Sequence, residues 1–251
     1  MIRAAGVLAI IDALELPDTA LVDQRIAKKL LIESGGFQAA DKRRVNESIE
    51  DLHWIAAMKP STIGVPAYHN SVREYLEISA VVMRLRTPDV GGRVTTLIHR
   101  AIPYPVLLVT QGEGAIDISV AHKRHAHNEA GRVVIDGLVI QSQGLPSGEL
   151  APLQSFRLTA QPRTNLFALY QGWVECVEAL QASHIIGPCA VARGDAASAR
   201  REALDSHARL TRQLAQLRSQ ASKEKQMARQ VELNLEIKRI EQAITAARER
   251  M

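Results

Sequence analysis

The apolar positions of the first sixty residues follow helical spacing in two stretches. Residues 2–14 and residues 41–58 each carry apolar side chains three and four residues apart, which predicts two amphipathic helices. Between them, residues 21–33 mix strand-like apolar pairs with basic residues, so this segment fits either a strand or a helix. The positions that define the second helix are Val45, Ile49, Leu52 and Ala56.

The middle of the chain changes to the patterns of β-strands. A run rich in β-branched residues at 75–85 and a compact apolar run at 106–109 predict buried strands. Alternation at 116–120 predicts a half-buried strand, and residues 133–140 predict a further strand, with or without a bulge. A short amphipathic helix is predicted at 94–101. This order predicts an α+β fold with a mixed, mainly antiparallel sheet and flanking helices.

The remainder of the chain is predicted to be largely helical. Residues 1–145 form the predicted core, and residues 146–190 a proline-rich connector followed by a packing helix. Residues 191–251 form a C-terminal region in which no proline or glycine occurs between 195 and 250. Its apolar spacing breaks near 222–227, which predicts either a coiled-coil arm or an antiparallel helical hairpin. The residues predicted to form the interaction face of this arm are Leu210, Leu214, Leu217, Val231, Leu235, Ile240 and Ile244.

Composition narrows the class of protein. Hydrophobic residues make up 46% of the 251 residues and charged residues 23%, so the chain can bury a core. Two cysteines, Cys176 and Cys189, are too few for a disulfide scaffold, which favours a reducing, cytoplasmic location. No apolar run reaches the ~20 residues of a membrane span, so we expect no membrane association.

Few motifs of catalysis occur in the chain. It contains no phosphate-binding loop of the Gly-x-x-x-x-Gly-Lys-Ser/Thr type, no dinucleotide fingerprint and no nucleophile elbow. A metal-dependent nuclease remains an alternative through Glu77, Asp117 or Asp136, although none of these acids is followed two positions later by lysine. We expect no bound cofactor and assign no catalytic residue.

Histidines and cysteines are the other candidate ligands and nucleophiles of the chain. His122, His125 and His127 could reach one zinc ion, but their charged neighbours favour a solvated loop. Cys176 is expected to be a buried apolar side chain, whereas Cys189 follows a proline in a turn and could be exposed.

Positive charge is concentrated in the C-terminal region. The 31 basic and 27 acidic residues give a net charge of +4. Residues 191–251, with 13 basic and 8 acidic residues, carry +5, whereas residues 1–190, with 18 basic and 19 acidic residues, carry −1. Basic residues also cluster between positions 25 and 44. They could contact phosphates, or they could form ion pairs with the nearby acids Glu47, Glu50 and Asp51. The candidate DNA-contacting residues are Arg25, Lys28, Lys29, Arg43, Arg44, Arg229, Lys238 and Arg239.

Several short segments of the chain form a recognisable set when they are taken together and in order. They are Leu21–Ile26 with Lys28-Lys29, Ile55–Ala57 before Pro60–Ile63, Ala101–Pro105, Lys223–Gln226, Val231–Asn234 and Glu236–Lys238. The set resembles a family of bacterial and archaeal proteins known as domain of unknown function 4391. The resemblance extends over nearly the whole chain and implies a setting near helicases and DNA methyltransferases of mobile-element or antiphage islands. It implies no catalytic residue.

These observations lead to three hypotheses. The first is a non-enzymatic accessory or assembly subunit, which uses its helical arm to bind a second copy of itself or a helicase or methyltransferase partner. In the second, the protein is a DNA-binding subunit that uses the basic residues named above. The third is the divergent metal-dependent nuclease.

Overall fold

The computed structural model describes residues 5–89, 92–112, 115–126, 131–142, 144–146 and 151–251. Within them, helices and strands together form an α+β fold, as predicted. The helices are α1 (Ala5–Ala13), α2 (Lys28–Ser34), α3 (Ala39–Ser48), α4 (Pro60–Ile63), α5 (Arg93–Ala101), α6 (Leu166–Ile186), α7 (Gly194–Ala221) and α8 (Met227–Arg248). The strands are β1 (Leu21–Arg25), β2 (Ile49–Met58), β3 (Tyr68–His69), β4 (Glu74–Tyr75), β5 (Ile78–Leu85), β6 (Val106–Gln111), β7 (Ala115–Val120), β8 (Lys123–His125), β9 (Val133–Ile135), β10 (Ile140–Gln141) and β11 (Leu145–Pro146).

The main sheet has the strand order β1-β2-β5-β6-β7-β10, and β11 also pairs with β7. Only β5 and β6 run parallel among the paired strands described, and α5 connects them, because a parallel pair needs a crossover. All other pairings are antiparallel, which confirms the mixed, mainly antiparallel sheet. Two small ribbons, β3–β4 and β8–β9, lie outside this sheet.

The core on one face of the sheet joins α2, α3 and α5 to β2, β5 and β6. Fully buried residues of α5, including Leu97 and Ile98, pack with Met83 of β5 and Leu108 of β6. The amphipathic pattern of residues 94–101 therefore marks the side of α5 that faces the sheet.

The predicted helix over 41–58 is wrong in its second half. Helix α3 ends at Ser48, and residues 49–58 form β2, which pairs with β5 over its whole length. Val45 of the helix and Ile49 and Leu52 of the strand enter the same core, so their spacing fits a helical face by coincidence. Pairing with β5 decides the conformation of this segment, a tertiary effect that local spacing does not report.

Two further segments each contain two elements where the sequence pattern indicated one. Residues 21–33 contain both elements that the pattern allowed, since β1 is followed directly by α2. Residues 133–140 form β9, which pairs with β8, and the start of β10, which pairs with β7. Gly137, at φ 82°, lies between them and allows the chain to pass from one sheet to the other.

The chain forms two compact units, residues 1–177 and residues 178–251. The boundary falls inside α6, which contributes to both units. The domain boundaries predicted near 145 and 190 stay predictions. Among the described helices, none has the length and apolar content needed to cross a bilayer.

Candidate functional site

The C-terminal unit contains a hairpin of two long helices, α7 and α8. Leu217 and Ala221 of α7 and Leu233 of α8 are buried against each other. A guanidinium–carboxylate pair of 2.7 Å joins Arg218 to Glu241 across the hairpin. The structure therefore contains the helical pair that the sequence allowed. Its polar residues face outward because the shared apolar faces supply the packing.

The turn between the two helices is held by Glu224. Its Oε1 atom accepts hydrogen bonds from the backbone N–H groups of Lys225, at 2.8 Å, and Gln226, at 2.9 Å. These donors precede the first turn of α8, where backbone N–H groups have no partner within the helix. Glu224 thus stabilises the turn immediately before α8.

A second apolar face of α8 is exposed. Met227, Val231 and Leu235 are 75%, 52% and 56% exposed and follow one another at four-residue spacing. Residues four apart lie on the same side of a helix, so these three form one continuous strip, named here the α8 stripe. It differs from the Leu233 side, which packs against α7.

The predicted arm residues consequently separate into two groups. Val231 and Leu235 belong to the exposed α8 stripe. Leu210 and Leu217 are buried, and Ile240 is half-buried against the core of the hairpin. Leu214 and Ile244 are also half-buried. A heptad-like pattern marks both kinds of apolar position, and only the fold separates them.

Half of the candidate DNA-contacting residues have partners within the protein. Lys28 is half-buried and donates to the carbonyl oxygens of Asn46, at 3.2 Å, and Ile49, while burial lowers its pKa. The other three lie in exposed ion pairs, which contribute little and can exchange for another anion. These pairs are Lys29–Glu33, Arg43–Glu47 and Arg229–Glu232.

The remaining candidate basic residues are exposed and scattered over three elements. Arg25 ends β1, Arg44 lies on α3, and Lys238 and Arg239 lie on α8. Affinity for nucleic acid comes from clustered positive charge that meets several phosphates at once. DNA binding through these residues stays a prediction.

The three acids of the nuclease hypothesis have different surroundings. Glu77 is buried, pairs with Lys59 at 3.1 Å and accepts a hydrogen bond from Ser79. Asp117 accepts the backbone N–H of Gly144, and Asp136 pairs with Arg73 at 2.7 Å. Across the described part of the chain, no group of three or more His, Cys, Asp or Glu side chains has an arrangement that could hold a metal ion.

The histidine segment differs from the solvated loop that the sequence indicated. His122 is half-buried, and the hydroxyl of Tyr75 lies 2.7 Å from its Nδ1 atom. The Nε2 atom of His122 lies 2.9 Å from the Oε1 atom of Gln171 on α6. Tyr75 also accepts the N–H of Lys123, so its hydroxyl hydrogen is available to His122, whose Nε2–H then donates to Gln171. His125 ends β8, and His127 lies outside the described residues.

Lys123 and His99 form a buried polar pair that the sequence does not reveal. Lys123 is 2% exposed, and its ammonium group donates to the carbonyl oxygens of His99 and of Ile102, at the end of α5. Burial lowers the pKa of Lys123 to about 7 and, together with the Lys123 charge, that of His99 to about 3. A lysine is favoured beside the last carbonyls of a helix, so Lys123 caps α5.

Both cysteines are at least half-buried, and the sulfur of each lies close to an oxygen atom of the protein. Cys176 is buried, as predicted, and its Sγ atom lies 3.2 Å from the carbonyl oxygen of Ser155. Cys189 is half-buried, with its Sγ atom 3.3 Å from the hydroxyl of Ser183.

The family model described as "Domain of unknown function (DUF4391)" matches residues 14–244. The chain belongs to this family. The match covers most of both units, including the sheet and the hairpin. It confirms the resemblance seen in the short segments, and membership of DUF4391 carries no activity with it. No curated protein and no solved structure matches the chain.

Proposed function

We propose that this DUF4391 protein is an assembly subunit whose α8 stripe binds the same stripe of a second copy. The observation that carries the proposal is the exposure of Met227, Val231 and Leu235 on a helix whose other face is already packed. Contiguous exposed apolar patches on monomeric proteins are commonly interaction sites.

The charges beside the stripe favour a second copy as the partner. Glu232 and Arg239 are seven residues apart, about two helical turns, and therefore share one flank of the stripe. In an antiparallel pair of α8 helices with a two-fold axis beside Leu235, Glu232 of each copy faces Arg239 of the other. The same patch then serves both subunits, as a two-fold interface requires.

The internal pair of Glu232 with Arg229 does not oppose this arrangement. The two side chains are well exposed, and an exposed pair between neighbouring turns contributes only tenths of a kcal/mol. Glu232 can therefore exchange Arg229 for Arg239 of a second copy at little cost. We propose further that the assembled protein serves a bacterial DNA-processing or antiphage system, with support from the setting that the resemblance implies.

Self-association is tested by sedimentation velocity of the full chain. Leu235→Glu is expected to convert a concentration-dependent dimer into a monomer, because it places a carboxylate beside its own copy at the two-fold axis. Concentrations from about 1 to about 300 μM bracket the affinity of a small interface. Leu138→Glu is the matched control, because Leu138 is also exposed but lies in the other unit, and it should leave the dimer intact.

Charge reversal tests the antiparallel arrangement. Glu232→Arg and Arg239→Glu should each weaken the dimer, whereas the double variant should restore it because every facing pair is again of opposite sign. A wild-type chain that stays monomeric over the whole range would overturn the proposal. An additive loss in the double variant would overturn the antiparallel pairing.

A further inference from the structure

A cavity opens at one end of the main sheet, between β1, β2, β5, α2 and the segment after α5. Its volume is about 280 Å³. That is close to the lower end of the sizes that hold small molecules in proteins. The described residues that line it are Gln24, Arg25, Ile26, Leu30, Leu31, Trp54, Ser79, Val81, Ile102, Pro103 and Tyr104.

The inner surface of the cavity is apolar. Leu31 and Val81 belong to the buried core, and Trp54 packs against that core with part of its ring accessible. The polar atoms near the base already have partners, since the Trp54 indole N–H donates to the carbonyl oxygen of Ala56 at 2.9 Å. The Ser79 hydroxyl donates to Glu77 at 3.1 Å. A guest in this cavity therefore meets apolar surface and one aromatic edge or face.

Among the described residues that line the cavity, one is charged, namely Arg25. Arg25 is exposed at the end of β1, and no acid stands among the described residues that line the cavity. No described residue forms an ion pair with Arg25, and its charge contributes to the lowered pKa of nearby Lys28. A guanidinium without a carboxylate is a ready partner for an anionic group, which it can bind through two N–H donors.

Beside Arg25, the outer rim of the cavity carries two large, partly apolar side chains. Leu30 of α2 and Tyr104 are both exposed there. Pro103 lies beside Tyr104, and the carbonyl of the next residue, Pro105, accepts the N–H of Ser79 at 2.9 Å, which ties this wall to β5. The wall is thus held by the sheet, so the cavity is formed before any guest arrives.

We infer that this cavity binds a small amphipathic anion, a molecule with a flat apolar body and one carboxylate or equivalent acidic group. The apolar body would lie against Trp54, Val81 and Leu31, and the acidic group would meet Arg25 at the rim. This inference concerns the N-terminal unit and is independent of the self-association proposed for α8.

Binding is tested with a matched pair of probes, 2-naphthoate and its uncharged amide, 2-naphthamide. Both have the same flat ring system, and they differ in the group that would meet Arg25. Quenching of Trp54 fluorescence reports occupancy, while the buried Trp173 supplies a constant background. We expect naphthoate to bind about tenfold more tightly than the amide, the effect of one charge-assisted contact at a partly exposed site.

Variants locate the site. Arg25→Met should weaken naphthoate about tenfold and leave the amide unchanged, because methionine replaces the aliphatic part of the arginine side chain without the guanidinium charge. Arg44→Met removes an exposed arginine of α3 that does not line the cavity and should change neither affinity.

Three outcomes would overturn the inference. They are the absence of quenching by either probe, equal affinity for the two probes, and naphthoate binding that is unaffected by Arg25→Met. Tighter binding of single-stranded DNA that displaces naphthoate and depends on Arg25 would assign the cavity to nucleic acid instead, and would also overturn the small-molecule assignment.

Discussion

Replacing Lys123 by methionine is expected to flatten the dependence of stability on pH between 7 and 9. In the wild type, burial lowers the pKa of Lys123 to about 7, whereas an unfolded lysine titrates near its ordinary value of 10.5. Between these values the unfolded chain binds the proton more strongly than the folded chain. The free energy of unfolding therefore rises with pH across this interval and is constant with respect to Lys123 below it.

The expected size of the effect follows from the difference between the pKa of Lys123 in the folded chain and in the unfolded chain. From pH 7 to pH 9, Lys123 contributes a rise of about 2 kcal/mol in the free energy of unfolding, or roughly 1 kcal/mol per pH unit. The described residues supply only carbonyl partners, at His99 and Ile102, so no carboxylate offsets the cost of burying the charge. The interval ends below the alkaline range in which tyrosines with a raised pKa, such as Tyr75, begin to act in the opposite direction.

Urea unfolding at pH 7, 8 and 9 measures how the free energy of unfolding changes with pH in the wild type and in Lys123→Met. Both tryptophans, Trp54 and Trp173, lie in the N-terminal unit with Lys123, so their fluorescence follows the unit that contains the buried charge. Lys29→Met removes an exposed lysine and should keep the slope of the wild type. Parallel pH profiles for the wild type and Lys123→Met would contradict the prediction, whatever the difference in stability at a single pH.

Tyr170→Phe is expected to lower the free energy of unfolding by about 3 kcal/mol, because it leaves two buried backbone groups without their partner. The Tyr170 hydroxyl accepts the N–H of Ala121 at 2.8 Å and donates to the carbonyl oxygen of Val106 at 2.8 Å. It thereby joins α6 to the start of β6 and to the residue after β7. The phenylalanine fills the same space, so the loss is one of hydrogen bonding and not of packing.

The control for this prediction is Tyr104→Phe, which removes the hydroxyl of an exposed tyrosine in the same unit. Its effect should stay within about 0.5 kcal/mol, as for most surface changes. Both variants are compared with the wild type at pH 7 by urea unfolding. Equal stabilities for Tyr170→Phe and Tyr104→Phe would show that the buried hydroxyl does not hold α6 to the sheet.

The local apolar pattern was sufficient to predict those elements whose apolar residues recur with a single helical or strand period and pack against one surface. The alternation of β7, the apolar run of β6 and the amphipathic face of α5 were all predicted, and their order implied one crossover between parallel strands. The C-terminal hairpin was among the predicted arrangements because its residues repeat for many turns without proline or glycine.

The apolar pattern predicted the wrong element where a helix and the strand that follows it contribute to the same core. Val45 on α3 and Ile49 and Leu52 on β2 have helical spacing, yet the strand forms because β5 supplies backbone partners for it. The same limit applies to α8. The sequence marks Leu217 and Leu235 alike as apolar arm positions, and only the packing of α7 on α8 leaves Leu235 exposed.

The sequence by itself determined the α+β class and the helical C-terminal region, because periodicity and composition are local properties, and the resemblance of its short segments indicated the family. The tertiary structure alone decided the burial of Lys123, the separation of the α8 stripe from the interior of the hairpin, and the cavity beside Arg25. Each of these depends on residues far apart in the chain. Burial, pKa and exposure are set by which surfaces meet, and no single segment encodes that information.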